Sequence, residues 1–267
     1  MGLFLGGLIA GLLALLGVVV LEGGSLGALF GPSALILAIL GPLGATMMGS
    51  DVRDMKVFTK ALLIAMKGKA PDADEAITTF GRLADKARKE GTLALEAELP
   101  SIPDPFMRTG LQMVVDGVDG DQVRAVLEAE IESATERHHA SSRFFHAMAG
   151  FAPIFGLMGT ILGIIGVMGH LSEPSELGHG IALALLGVLY GVVFGNLIYL
   201  PIANKLDRLH ELEVHVRELV LEGVLAVREG VSARLLVERL EARLGPAERR
   251  GHSARVGSAG AAAQEAA

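Results

Sequence analysis

The chain has 267 residues, 51% of them hydrophobic, with a net charge of −7 and neither cysteine nor tryptophan. Lacking cysteine, it has no disulfide, no thiolate nucleophile and no Cys-ligated metal site. Acidic and basic residues alternate in the polar parts, which excludes a basic footprint for nucleic acid.

In chain order, Leu3–Leu21, Ala34–Gly49, Phe151–Leu171 and Ile181–Leu200 contain no Lys, Arg, Asp or Glu. About 20 apolar residues in a helix cross the ~30 Å hydrocarbon core of a bilayer, so all of these read as membrane spans. No basic residue precedes the first, and no small-residue cleavage site follows it. It is expected to stay as a span, not to be removed as a signal peptide. The connections Glu22–Ser33 and Ser172–Gly180 carry no Lys or Arg, whereas Asp51–Gly150 holds thirteen and the chain after Pro201 ten. The positive-inside rule places both large polar segments and both termini in the cytoplasm, and both short connections outside.

Within the large insertion, Lys56–Lys69 is apolar in its middle but too short to span, and reads as a cytoplasmic helix. Ala73–Glu90 follows, with Ile77, Phe80, Leu83, Ala84 and Ala87 at helical spacing, Pro71-Asp72 as start signal and Gly91 as stop. Leu93–Leu99 reads as a short helix ended by Pro100, Pro103 and Pro105, and Phe106–Val115 as another. Asp116–Asp121 invites a calcium reading. From Asp116, however, the third, fifth and twelfth positions are Val118, Gly120 and Leu127, which no EF-hand loop tolerates. A turn with Asp119 or Asp121 capping the next helix is the better account. That helix is predicted from about Gln122 through Ala140, able to run on into the third span. Beyond Pro201, Leu206, Leu209, Leu212, Val216, Leu219 and Val220 mark a long amphipathic helix. After Gly245 the composition predicts disorder.

The expected fold class is an all-α integral membrane protein. It has four transmembrane helices, a helical cytoplasmic insertion between spans 2 and 3, and a long cytoplasmic C-terminal helix. The expected parts are a first hairpin over residues 1–50, a cytoplasmic domain over 51–150, a second hairpin over 151–201, a cytoplasmic helix over 202–244 and a tail over 245–267.

The spans hold no catalytic constellation, and only Tyr190 and Tyr199 are ionisable well inside them. Neither an enzyme activity nor a cofactor is expected, and an ion carrier would have to come from a partner. His170 and His179 lie at the outer boundary as loop residues. Glycines recur in the third span at 156, 159, 163, 166 and 169, and in the fourth at 187, 191 and 195. Such faces let membrane helices approach closely, either to fold one chain or to join several. Thr160 in that face either bonds its own helix carbonyl or lines a polar path. Pro153 and Pro201 each free a backbone carbonyl, and mark either a kink or simply a helix end.

Several pieces together carry a resemblance. They are Leu21-Glu22-Gly23-Gly24-Ser25-Leu26-Gly27, Ala87–Glu96, the turn Asp116-Gly117, Ala152-Pro153-Ile154-Phe155-Gly156-Leu157-Met158-Gly159-Thr160, Leu189-Tyr190-Gly191 and Leu200–Leu206. In order and spacing the chain resembles MotA and PomA, the stator A-subunits of the bacterial flagellar motor, within the MotA/TolQ/ExbB group. The resemblance implies a homo-oligomeric ring, a pentamer, around a MotB/PomB-like single-span partner that supplies the ion-binding Asp. It also implies a rotor partner, FliG, met by a charged set that here comprises Arg88, Lys89, Glu96 and Glu98. Pro153 and Pro201 correspond to prolines that couple ion flow to movement, and Thr160 and Tyr190 to positions on the ion path. Sodium-type relatives resemble a Thr-Thr pair where this chain has Gly187-Val188, which favours protons, because sodium needs oxygen ligands in place of its water shell. An ExbB/TolQ-type energiser and a non-conducting membrane scaffold are the competing readings.

Overall fold

In the computed structural model, residues 2–50, 61–66, 68, 71–169 and 174–245 are described, and among them all regular structure is helical. The helices are α1 (Gly2–Leu21), α2 (Pro32–Met48), α3 (Ala73–Glu90), α4 (Pro105–Val115), α5 (Gly120–Met168), α6 (Pro174–Val193), α7 (Leu200–Arg228) and α8 (Ala233–Arg243). Among the described residues, four helical segments are long and apolar enough to cross a membrane. The chain divides into two compact units, one of residues 1–69 and 136–210 and one of residues 70–135 and 211–267.

The first unit contains the spans. α1 ends at Leu21, Gly23 turns the chain with a φ of 69° that favours glycine, and Ser25 then caps a 3-10 turn over Leu26–Leu29 by accepting from Gly27 N–H. Pro32 opens α2 at its first turn, where a missing N–H costs nothing. The third span is the continuation of α5, a helix of 49 residues. At 1.5 Å per residue this is about 74 Å, more than twice what the hydrocarbon core requires. Pro153 lies inside α5 and does not end it, whereas Pro201 stands in the first turn of α7, which begins at Leu200. Ahead of Pro201, residues Phe194–Tyr199 form a π-helical stretch, and Leu200 N–H bonds to Gly195 O, five residues back.

The second unit is a water-soluble type of core. Ile77, Phe80, Leu83, Leu95, Ile102, Leu111, Val123, Leu127, Leu219, Leu236 and Leu240 are all fully buried in it. Burying one such side chain is worth about 1.5–3 kcal/mol. Asp72 caps α3 by accepting from Asp74 N–H at 3.0 Å, and Gly91 ends it with φ 88°. Gly117 closes α4 in a Schellman turn, with Val118 N–H bonded to Met113 O, and Asp119 then accepts from Asp121 N–H at 3.0 Å.

Three expectations are corrected. Leu93–Leu99 is not one α-helix but two 3-10 turns, Thr92–Leu95 and Leu99–Ser101, with Pro100 in the opening turn of the second, where its missing N–H costs nothing. The predicted single helix over 202–244 is two: Gly230, with φ 72°, turns the chain, and Ser232 caps α8 by accepting from Leu235 N–H. The outer connection predicted over Ser172–Gly180 is shorter, since α6 already starts at Pro174. The reading of Lys56–Lys69 is described only in part, with residues 61–66 helical. Residues 246–267 of the expected tail, His170, and the side chain of His179 lie outside the described residues.

Candidate functional site

The glycines of the third and fourth spans form one seam. A Cβ added to Gly156 would stand 2.6 Å from Gly187 O, one on Gly191 2.6 Å from Ala152 O, and one on Gly163 2.6 Å from Ala184 Cβ. Backbones this close exclude any side chain. Gly187 belongs to the same seam, since its Cβ would meet Gly156 O at 2.8 Å and Thr160 N at 3.1 Å. The missing hydroxyl at 187 is therefore also a packing requirement. Val188 is half-exposed, turned away from the tightest contacts.

Thr160 is buried in this seam, 8% exposed, and its hydroxyl lies 2.8 Å from Ala184 O and 3.3 Å from Gly156 O. It has one proton to give, and the shorter contact crosses from α5 to α6. The own-helix contact of the first sequence alternative is present at the longer distance, and the cross-helix bond was foreseen by neither.

Pro153 has no N–H to offer Ala149 O four residues back. That carbonyl and the proline ring face Gly195, where a Cβ would meet Ala149 O at 3.1 Å and Pro153 Cδ at 3.2 Å. Gly195 sits in the π-helical stretch before Pro201. The irregular turns of the two spans therefore meet at one glycine, and such places are where helices bend.

Tyr190 is a strap. Its hydroxyl donates to Leu29 O and accepts from Gly31 N–H at 3.1 Å. One phenol thus satisfies two backbone groups at the start of α2, which hydrocarbon would leave unpaired at high cost. Only the short aromatic handle inside an apolar run signalled this in the sequence, and the partner loop could not be inferred.

The charged set on α3 and the following turns separates. Arg88, Lys89 and Glu96 are exposed. Lys89 Nζ is 2.6 Å from Asp85, whose hydrogen bond and charge raise the lysine's pKa. Glu98 is held within the chain by Arg82 and by Lys86 at 2.7 Å. Hydrogen bonds from Lys86 and Arg82 bring its carboxyl down to about 2. Arg82 and Lys86 were not foreseen; they stand one helical turn apart on α3, and both reach Glu98.

Residues 98–219 match the MotA/TolQ/ExbB proton channel family. Motility protein A of Bacillus subtilis is 35% identical over 88% of this chain and 87% of its own length. The chain belongs to this family. A further member, chemotaxis protein PomA of Vibrio alginolyticus, is 34% identical over 86% of this chain and 90% of its own. The fold agrees with a solved structure of the flagellar MotAB stator complex from Bacillus subtilis. That structure has a TM-score of 0.86 at 33% identity and covers 92% of this chain and 98% of the other. As a MotA/TolQ/ExbB member the chain is a multi-pass membrane protein.

Proposed function

We propose that this protein is the A-subunit of a flagellar stator that couples ion flow, shared with a MotB-like partner, to torque. Membership of the family and the match to a MotAB stator over nearly the whole of both chains support the stator function. One observation on the chain itself carries the division of labour: the described spans contain no acidic or basic side chain. The titrating carboxylate therefore comes from the partner, whose span packs against a ring of A-subunits, a pentamer. The N and C termini and the polar segments lie on the cytoplasmic side of the inner membrane, the apolar helix faces lie in lipid, and the exposed Arg88, Lys89 and Glu96 meet the rotor protein FliG. Glu98 braces them by holding Arg82 and Lys86. Pro153, Gly195 and Pro201 form the bending point, Thr160 ties the spans beside it, and Tyr190 fixes the outer loop. Protons are the coupling ion, because Gly187 and Val188 offer no side-chain oxygen to replace sodium's water shell.

The test is swimming speed in cells relying on this protein and its natural partner, as sodium is replaced by potassium at fixed pH and a protonophore is then added. Speed should ignore sodium and collapse with the protonophore. Speed that follows sodium overturns the ion assignment, and absence of motility under every condition overturns the flagellar role.

A further inference from the structure

Where the charge-free stretches end on α5 and α7, the first charges are mostly basic. Residues 137–150 and 201–210 hold Arg137, Arg143, Lys205 and Arg208 against a single carboxylate, Asp207. Asp207 Oδ2 is already 2.7 Å from His146 Nε2. Arg143 and Arg208 are exposed and Lys205 is half-buried, and none of these three has a carboxylate partner among the described residues. In sequence, residues 55–70 add Lys56, Lys60, Lys67 and Lys69 and no acidic residue.

An apolar surface lies beside these charges. In the helical residues 61–66, Ala61 and Ala65 are buried against Phe145, Ile202, Ala203 and Leu206. Between them, Leu63 and Ile64 are 57% and 48% exposed. Gly68 follows beside Leu209, whose Cδ1 an added Cβ would meet at 3.0 Å. At 1.5 Å per residue, Ile202 to Leu206 lie about 3–9 Å beyond Leu200, the end of the fourth span. Headgroups occupy about 5–7 Å on each side of the hydrocarbon core, so Leu63 and Ile64 stand at headgroup depth. Arg143 and Arg208 start about 12 Å out, and their long side chains can reach back to the same layer.

We propose that this end of the spans is a binding site for anionic phospholipid. Leu63 and Ile64 enter the boundary between headgroups and acyl chains, where neighbouring apolar side chains leave water. Arg143, Lys205 and Arg208 take the headgroup phosphate. A zwitterionic headgroup cancels its phosphate with its own ammonium, whereas an anionic one leaves a net charge for the basic residues to meet. A second copy of the chain fits the surface less well, because it would bring the same excess of positive charge to it. The site uses the membrane orientation given above and does not depend on the stator role.

The chain has no cysteine of its own, so nitroxide labels can be placed singly at Leu63→Cys and Ile64→Cys, with the exposed Leu93→Cys as a reference in water. The full-length protein is purified with its natural partner into nanodiscs of phosphatidylcholine and phosphatidylglycerol. In power-saturation electron paramagnetic resonance both labels should relax faster with oxygen than with a nickel chelate, at a depth of about 5–10 Å, while the reference does the reverse. Labels open to the chelate, or shielded from both reagents by a protein surface, overturn the proposal. The headgroup is tested by the retention of spin-labelled phosphatidylglycerol against spin-labelled phosphatidylcholine on the unsubstituted protein. Phosphatidylglycerol should be preferred, with up to about fivefold for each basic residue engaged, and the preference should shrink in high salt. Arg143→Gln and Lys205→Gln should each lower it. Equal retention of the two lipids, or an undiminished preference in both glutamine variants, overturns the proposal. Neither readout uses ion flow or motility, so failure here and failure of the stator reading are separate results.

Discussion

The two units are held together by opposite means. Of the largest fully buried side chains among the described residues, all but Phe145 belong to residues 70–135 and 211–267. In the unit of the spans, backbone meets backbone where side chains are missing, at Gly156, Gly163, Gly187 and Gly191. A single helix shows both regimes, since on α5 Leu127 is fully buried and Leu162 is 61% exposed. In water, an apolar side chain gains free energy by leaving the solvent, so leucines cluster. In hydrocarbon a leucine is as well placed against lipid as against leucine. Association there depends on close van der Waals approach and interhelical hydrogen bonds.

The largest expected effect breaks the seam. Gly156→Val should abolish swimming and sharply lower the yield of folded protein, because even the first added carbon would stand 2.6 Å from a backbone oxygen that cannot swing aside. A variant with normal yield in membranes and normal speed would show that the seam is not what joins these helices. Phe80→Ala tests the other regime. The ring is fully buried and sits in the notch left by Gly223, whose Cβ would meet it at 2.6 Å. Removing it should cost about 3–5 kcal/mol, read as earlier denaturant unfolding of the full-length protein. A Gly223→Ala change should lose stability for the converse reason, an overfilled notch.

How far the sequence could be read differs between the same two regions. The spans were legible because a bilayer imposes a length and forbids charge over that whole length, and the α3 core was legible because Ile77, Phe80, Leu83, Ala84 and Ala87 keep helical spacing. Where α5 continues into the third span, periodicity alone could not say whether one helix or two were present. Gly230 is a stop that the apolar spacing of residues 206–220 hid, since that spacing carries no signal about the residues after 220. At the candidate site, the small-residue face was visible but its partner was not. Spacing shows which residues share a face, and only three-dimensional packing shows that Gly187 meets Gly156, that Thr160 reaches Ala184 or that Tyr190 reaches Leu29. Glu98 was assigned outward by resemblance, and the cations that hold it lie 12 and 16 residues away in the chain, beyond any local pattern.

A smaller effect sharpens the seam into its two contributions, shape and hydrogen bonding. Thr160→Val keeps the volume and deletes the donor to Ala184 O. It should cost only about 0.6 kcal/mol, the average for such bonds between membrane helices. Thr160→Ser should restore the loss, with thermal unfolding of the detergent-solubilised complex as the measure. If Thr160→Val instead slows swimming many-fold with stability unchanged, the hydroxyl serves the ion path more than the packing.

The smallest effect belongs to the exposed ion pairs of the other unit, and its sign is fixed by Glu98. Folding lowers that carboxyl to about 2 through Lys86 and Arg82. An unfolded glutamate titrates near ~4.3, so the contribution is complete above pH ~5, where the carboxylate is ionised in both states. As pH falls the unfolded chain takes up the proton first, and the stabilisation fades until the folded carboxyl titrates as well. Glu98→Gln should therefore melt slightly below the unsubstituted protein at neutral pH, with a gap that stays constant down to about pH 5 and closes toward about pH 2. A gap that persists undiminished at about pH 2 would mean that Glu98 contributes through packing and neutral hydrogen bonds, not through charge. The distinction bears on the proposed rotor face. Exposed charges that make only loose pairs can exchange partners as the rotor passes, whereas Arg82 and Lys86, pinned by Glu98, can only shape the field in which Arg88 and Lys89 act.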